Sequence, residues 1–213
     1  MALLNDEIRK NLTEVFSKMN KEVTLAVFTK EEDCESCKDT LDFMNEIEEV
    51  GEKIKVKSFD IEKEASKAEE FGVKMTPSIV LLDSDGKDHG IKFYGIPAGH
   101  EINSLITGII EVSGSGEEMP DALRKRIDGI NTPVDIKVFI TLGCPHCPGA
   151  VAKAHKLAFE NENIKAEMIE AQTFSEISDK YNVSGVPKIV INEEHDLVGN
   201  QPIEKFLETI ENM

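Results

Sequence analysis

Cys34-Glu35-Ser36-Cys37 and Cys144-Pro145-His146-Cys147 are two Cys-x-x-Cys motifs, each followed at the same distance by a proline. Pro77 lies 43 residues after Cys34, and Pro187 lies 43 after Cys144. Around the prolines the sequences match as well, Phe71-Gly72-Val73-Lys74-Met75-Thr76-Pro77-Ser78-Ile79-Val80 against Tyr181-Asn182-Val183-Ser184-Gly185-Val186-Pro187-Lys188-Ile189-Val190, every position offset by 110. A repeat of that length is a whole domain. All four cysteines fall within the two motifs, so the chain reads as a duplicated dithiol unit.

Two domains of about 100 residues fit the 213-residue chain, and domains of that size bury a core without disulfide staples. The cysteines are therefore free for chemistry. The polar run Ser113-Gly114-Ser115-Gly116-Glu117-Glu118 reads as a flexible linker and places the domains at 1–116 and 117–213. No charged n-region with an apolar h-region opens the sequence, and no apolar run approaches the ~18 residues of a membrane span. The expectation is a cytoplasmic protein with no membrane contact, a setting in which Cys-x-x-Cys is catalytic or metal-binding more often than structural. The net charge of −17 repels nucleic acid and anionic lipid, so neither is an expected partner. Acidic runs such as Glu31-Glu32-Asp33 and Glu46-Ile47-Glu48-Glu49 read as solvated faces.

Runs of β-branched and aromatic residues precede each motif, at 23–28 and 134–140, and read as strands. After each motif, Leu41, Met44, Ile47 and Val50, and likewise Val151, Ala154, Leu157 and Ala158, recur at helical spacing. The order continues in both halves as strand (54–59; 164–169), helix (62–71; 174–181), strand (78–82; 188–191), strand and closing helix. Each half is βαβαββα, an α/β unit whose late strand-to-strand step makes its central sheet mixed. Extra helices from about Asn5 and about Pro120 are expected packing elements.

A strand that ends in a tight turn puts the first cysteine at a helix N-terminus, where unpaired N–H groups and the helix dipole favour thiolate. Cys34 and Cys144 are therefore the expected nucleophiles. Cys37 and Cys147, a helical turn on and facing inward, are the expected resolving thiols, each pair cycling between dithiol and disulfide. The X-Pro bonds before apolar strands are expected to be cis, which exposes the backbone of Thr76 and Val186 beside Pro77 and Pro187 to an extended substrate segment. His146, between the two cysteines of the second motif, is a candidate thiolate stabiliser. His89, His100, His155 and His195 read as ordinary surface residues, and Pro148 suits a helix's first turn. No cofactor and no metal is expected, the reagent being the disulfides themselves.

These residues resemble the thioredoxin fold in tandem, and the arrangement is similar to the protein disulfide oxidoreductases of archaea and thermophilic bacteria, also called glutaredoxin-like proteins. Glu35-Ser36 within the first dithiol, Tyr94-Gly95-Ile96-Pro97-Ala98-Gly99-His100-Glu101 and Gly185-Val186-Pro187-Lys188-Ile189-Val190-Ile191-Asn192 carry the likeness. It implies two tandem thioredoxin-fold units and dithiol–disulfide exchange on protein disulfides, covering reduction, oxidation and isomerisation, with electrons from a thioredoxin-reductase-like flavoenzyme. Thioredoxins carry a buried aspartate beside the strand phenylalanine; here Val27 and Val138 stand there, so proton transfer during resolution must use water or another group. Glutathione-using glutaredoxins show Gly-Gly followed by Asp after the proline strand, whereas Gly95 and Gly199 each stand alone, so glutathione is a weak candidate. The loop from Phe28 to Cys34 is one residue longer than that from Phe139 to Cys144, which predicts different loop geometry.

Two alternatives stand beside this reading. A structural zinc protein would use the four thiols, but the motifs are 106 residues apart against about 15–20 in a zinc ribbon. An electron carrier to a peroxiredoxin would resemble the amino-terminal module of the flavoprotein alkyl hydroperoxide reductases, also a doubled thioredoxin fold, which is expected to resemble this chain less because one of its dithiols is lost. The flanking residues also predict unequal sites: Cys144 has His146 and a rigid Pro145, whereas Glu31, Glu32, Asp33 and Glu35 surround Cys34 and oppose its thiolate.

Overall fold

The computed structural model describes residues 3–213. Each half follows the expected element order. The first runs β1 (Val23–Thr29), α2 (Cys37–Val50), β2 (Ile54–Asp60), α3 (Ala65–Glu70), β3 (Ser78–Leu82), β4 (Asp88–Tyr94) and α4 (Ile102–Ile110), preceded by α1 (Asp6–Phe16). The second runs β5 (Val134–Ile140), α6 (Cys147–Glu160), β6 (Ile164–Glu170), α7 (Ser175–Lys180), β7 (Lys188–Ile191), β8 (His195–Val198) and α8 (Ile203–Glu211), preceded by α5 (Asp121–Asp128). No helix among the described residues is long and apolar enough to cross a membrane.

The chain divides into two compact units. One comprises the described residues through Asp88 with Tyr94–Ile96 and Ile109–Gly116; the other comprises His89–Phe93, Pro97–Gly108 and residues from Glu117 on. Most of β4 and α4 group with the second unit, a tertiary choice the repeat does not reveal. In the first unit β1 pairs parallel with β2 and antiparallel with β3, with Val27 opposite Ser58 and Ile79. In the second, β5 pairs parallel with β6 and antiparallel with β7, with Val138 opposite Met168 and Ile189, and β7 pairs antiparallel with β8. Strands β1 and β5 are central, which is why their β-branched and aromatic residues are buried on both faces. Each such side chain contributes about 1.5–3 kcal/mol on burial, so this interior, and not exposed ion pairs, holds the dithiol turns in place.

The same local devices recur at the 110-residue offset. Asp60 Oδ1 accepts the N–H groups of Glu62 and Lys63, and the Glu170 carboxylate accepts those of Gln172 and Thr173, so an acid closes the turn after β2 and β6 alike. After α3 and α7 the chain turns through left-handed residues, Gly72 at φ 63° in one case and Asn182 at φ 52° in the other, as helix C-termini require. The helix that follows Asn5 is capped by its side chain, which accepts from the Ile8 N–H at 2.9 Å.

Two expectations need correction. The stretch read as a flexible linker is ordered: Glu111–Ser115 forms a π-helical turn, Ser113 is buried, and its carbonyl accepts from the Lys21 N–H at 3.1 Å. Asn20 also donates to the Gly114 carbonyl and the Ser115 hydroxyl, so the polar residues serve as tie points. His155 is not a surface residue. It is 2 % exposed on α6, edge-on to Phe93 of β4 at 4.7 Å between ring centroids. Its helical position is on the core face, and the apolar ring surface outweighs its polarity there.

Burial pushes the His155 pKa down to about 3, opposed only by the backbone of Lys92. The folded chain therefore keeps this imidazole neutral where the unfolded chain protonates it. The stability it allows is fully present above about pH 6.5 and is lost as pH falls towards 3, at a limiting slope of ~1.4 kcal/mol per pH unit. Urea unfolding across this range should show the slope in the unsubstituted chain and a flatter one in His155→Leu; equal slopes would remove His155 as the cause.

Candidate active site

Both helices begin at the second cysteine of their motif, not the first: α2 starts at Cys37 and α6 at Cys147. Cys34 and Cys144 lie in the turns leading in, with the Cys34 carbonyl accepting from Cys37 N–H at 3.4 Å and Cys144 N–H donating to the Thr141 carbonyl at 3.0 Å. The placement changes the local account but not its sense, because the sulfurs still face the unpaired N–H groups of a 14-residue helix. The sulfurs are joined within each motif, with Cα atoms 5.4 Å apart in Cys34–Cys37 and 5.5 Å in Cys144–Cys147. This is the oxidised form.

Exposure differs within each pair. Cys37 and Cys147 are 4 % and 0 % exposed and cannot be reached by a bulky substrate. Cys34 is half-buried and Cys144 is 9 % exposed, so the outer cysteine of each pair is the less buried one. At the first site the Lys30 N–H also donates to Cys37 Sγ at 3.4 Å, a backbone donor suited to a developing thiolate.

The peptide bonds Thr76–Pro77 and Val186–Pro187 are both cis. Pro77 and Pro187 are buried, Thr76 and Val186 half-buried. The proline carbonyls are held by matching bonds, Gly95 N–H to Pro77 and Gly199 N–H to Pro187, each 2.9 Å. The Thr76 and Val186 backbone groups are engaged by no other described residue, which leaves them for a strand-like segment.

The longer first loop does adopt its own geometry: its additional residue puts Asp33 in the left-handed region, at φ 55°. Around it, Lys63 pairs with Glu31, and Lys30 pairs with Glu62 at 3.1 Å. These partners hold both lysines above the usual value, Lys30 chiefly through its hydrogen bond to Glu62 and Lys63 through that to Glu31. With both cations so engaged, Glu32, Asp33 and Glu35 remain as net negative charge near Cys34. At the second site His146 is exposed between the cysteines, at the position just before α6.

Sequence reasoning missed one residue here. Glu101 lies in a 3-10 turn, Gly99–Glu101, that packs on α6, the helix headed by Cys147. The turn is fixed to the loop before Cys144 by the His100 N–H, which donates to the Leu142 carbonyl at 3.1 Å. Gly99 is required at this contact, since its φ is 59° and a Cβ would stand 2.6 Å from that carbonyl. Glu101 itself is fully buried. One carboxylate oxygen bonds the Ser104 hydroxyl and the other has no partner, and burial, opposed by Ser104, raises its pKa to about 7. Val27 and Val138, in the places where thioredoxins carry an aspartate, are wholly buried. The helix that Cys147 heads thus has a buried carboxyl on the turn packed against it, in a segment that belongs by sequence to the first repeat. Its signal was available: Glu101 heads the stripe Leu105 and Ile109, an acid on an apolar helix face.

Comparison with known proteins agrees with this geometry. Residues 10–107 match the thioredoxin-like domain family and residues 134–212 the thioredoxin domain family. A protein disulfide oxidoreductase from Aeropyrum pernix K1 is 32 % identical, with a TM-score of 0.90 over 99 % of this chain and 93 % of that one. The chain belongs to the protein disulfide oxidoreductase family of tandem thioredoxin folds. The alkylhydroperoxide reductase component AhpF from Enterococcus faecalis is similar to the same degree, 31 % identical with a TM-score of 0.93 over 98 % of this chain and 100 % of that one. The corresponding alkyl hydroperoxide reductase component of Staphylococcus epidermidis is 27 % identical over 96 % of this chain, which spans 37 % of that relative's length. The expectation that this second group resembles the chain less is therefore not upheld by whole-chain similarity. With two Cys-x-x-Cys disulfides in thioredoxin folds, the oxidoreductase performs thiol–disulfide exchange.

The unequal surroundings predict unequal potentials. Net negative charge opposes the Cys34 thiolate and should make the first pair the more reducing, but these carboxylates are exposed and screened. Redox titration of the Cys34→Ser/Cys37→Ser and Cys144→Ser/Cys147→Ser chains should find Cys144–Cys147 more oxidising by about 30 mV, a tenfold change in equilibrium constant for a two-electron couple. Equal potentials, or the reverse order, would show that flanking charge does not set the poise.

Proposed function

We propose that the oxidoreductase acts on protein disulfides presented as extended segments along Thr76-Pro77 and Val186-Pro187, drawing electrons from a thioredoxin-reductase-like flavoenzyme. What supports this is an outer cysteine more exposed than its partner in each half, together with backbone groups of Thr76 and Val186 that no other described residue engages. In the reductive direction the outer thiolate, Cys34 or Cys144, attacks one substrate sulfur. The substrate S–S bond breaks, a mixed disulfide forms, and the departing sulfur takes up a proton. The inner thiol then loses its proton, attacks the outer sulfur, and closes the Cys34–Cys37 or Cys144–Cys147 disulfide as the second substrate thiol leaves. Two electrons and two protons pass to the substrate. At the second site Glu101 receives the Cys147 proton, a task matched to a carboxyl that titrates near 7.

A second client class has a specific observation behind it. The likeness to the alkyl hydroperoxide reductase component AhpF supports delivery of electrons to a peroxiredoxin, whose peroxidase cycle ends in a disulfide that the same exchange would reduce. Turnover with a peroxiredoxin against turnover with a generic protein disulfide separates the two clients.

In the insulin reduction assay with dithiothreitol, Cys34→Ser together with Cys144→Ser should abolish catalysis. Activity surviving in that chain would end the assignment. In a chain carrying only the second dithiol, Glu101→Gln should slow resolution of a mixed disulfide by on the order of tenfold or more above pH 7 and remove the rise in rate through pH 7. A stopped-flow pH profile unchanged by the substitution would mean that water takes the proton.

A further inference from the structure

Lys153 and Asn200 form a polar pair in the second unit that the exchange steps above leave unused. Lys153 lies on α6 six residues after Cys147, half-buried, and its Nζ donates to Asn200 Oδ1. Three other lysines of this unit that are buried or half-buried meet carboxylates: Lys137 meets Glu193 at 2.8 Å, Lys156 meets Glu160 at 3.0 Å and Lys188 meets Asp196 at 2.7 Å. Among the described residues no carboxylate comes within ion-pair distance of Lys153, and its one hydrogen-bond partner is a neutral amide. Burial accordingly pushes this lysine below its usual value, with Glu204 opposing from farther off.

The pair is placed by the elements that build the site. Asn200 follows Gly199, whose N–H holds the Pro187 carbonyl at 2.9 Å. Its amide occupies the space over Gly149, two residues after Cys147, where a Cβ would collide with Nδ2. Gln201 fixes the loop's shape, its side chain donating to the Val198 carbonyl at 2.6 Å and its N–H to the Gly199 carbonyl at 2.9 Å. An ammonium group is thereby held between α6 and the end of β8, on the Pro187 side of the dithiol. The first unit carries nothing similar, since Phe43, 2 % exposed, stands six residues after Cys37 and Ile96-Pro97 follows Gly95.

We propose that Lys153, held by Asn200, is a carboxylate-binding subsite of the second dithiol that selects disulfides whose half-cystine is flanked by an acidic side chain. The proposal rests on the reading that an extended segment lies along Val186-Pro187. A chain of net charge −17 repels acidic segments in general, so taking one at the dithiol needs a local cation without a counter-ion of its own. Exchanging a neutral amide partner for a carboxylate turns a hydrogen bond charged on the donor side alone into an ion pair and offsets the cost of holding the ammonium half out of water.

The test uses the Cys34→Ser/Cys37→Ser chain, in which only the second dithiol turns over. Its substrates are amidated peptide disulfides that differ by a single Asp or Asn at one of the positions beside the half-cystine. At one or more positions the Asp peptide should show about tenfold higher kcat/KM than its Asn partner, and the ratio should fall as ionic strength rises. Lys153→Met should bring the ratio to about one, and Lys153→Arg should restore the preference. A ratio near one at every position, or a preference that persists in Lys153→Met, overturns the subsite. If Lys153→Met does not fold, the salt response of the Lys153 chain decides, and a ratio insensitive to salt overturns the proposal. Failure to turn over either peptide overturns the exchange reading instead, and the subsite with it.

Discussion

A thiol that must ionise inside the protein is the constraint on which the rest of the structure depends. Burying Cys37 and Cys147 protects the mixed disulfide from bulky competitors, but burial opposes the thiolate that resolution needs. The start of each 14-residue helix supplies part of the compensation through its unpaired N–H groups. Beyond that the two sites diverge. At the first, the Lys30 N–H reaches Cys37 Sγ at 3.4 Å; at the second, a carboxyl with a pKa raised to about 7 is packed against the helix that Cys147 heads. The first site has a backbone donor beside its inner sulfur, and the second has a buried carboxyl on the turn packed against its helix.

Duplication preserved what positions the backbone and released what sets the charge. The cis prolines and the acid-closed turns after β2 and β6 recur at one offset, and a glycine N–H holds each proline carbonyl, because a one-residue slip would move every strand side chain to the wrong face. The side chains around the sulfurs do not recur. Acidic residues and their lysine partners surround Cys34, while the second site has Glu101 buried, His146 exposed and Lys153 half-buried beside Asn200. Exposed ion pairs are screened by salt and buried groups are not, so the first dithiol's environment follows the medium and the second's follows the fold.

What the sequence made legible was whatever depends on neighbours close in the chain or on exact repetition. Strands 78–82 and 188–191 and the roles of the four cysteines follow from period, spacing and local chemistry. Hidden were the features decided by distant packing. Glu101 belongs by sequence to the first repeat but packs beside the second site, because most of β4 and α4 joins the second unit. His155 looked like one more helical histidine until Phe93 covered it. The run around Ser113 has a linker's composition, yet its polar groups find fixed partners in Lys21 and Asn20, 92 or more residues away. Composition alone cannot distinguish a hydrogen bond to water from one to such a partner.

Two buried titratable groups of the second unit, Glu101 and His155, tilt its stability in opposite directions. Glu101, raised from 4.5 to about 7, contributes stability that is complete below pH 4.5 and is lost as pH rises through 7. His155, lowered from 6.5 to about 3, contributes stability that is complete above pH 6.5 and is lost as pH falls through 3. Between pH 4.5 and 6.5 the slopes oppose each other, so the pair flattens the stability curve where each alone would tilt it. Their chemical fates differ, however. His155 stays neutral throughout the neutral range, whereas Glu101 is held near half-ionisation there, with one carboxylate oxygen left without a partner. An apolar residue at 101 would remove the alkaline loss together with the buried carboxyl on the turn packed against α6. On the role proposed for Glu101, the retained instability is the physical counterpart of a group that must both accept and release a proton during one catalytic cycle.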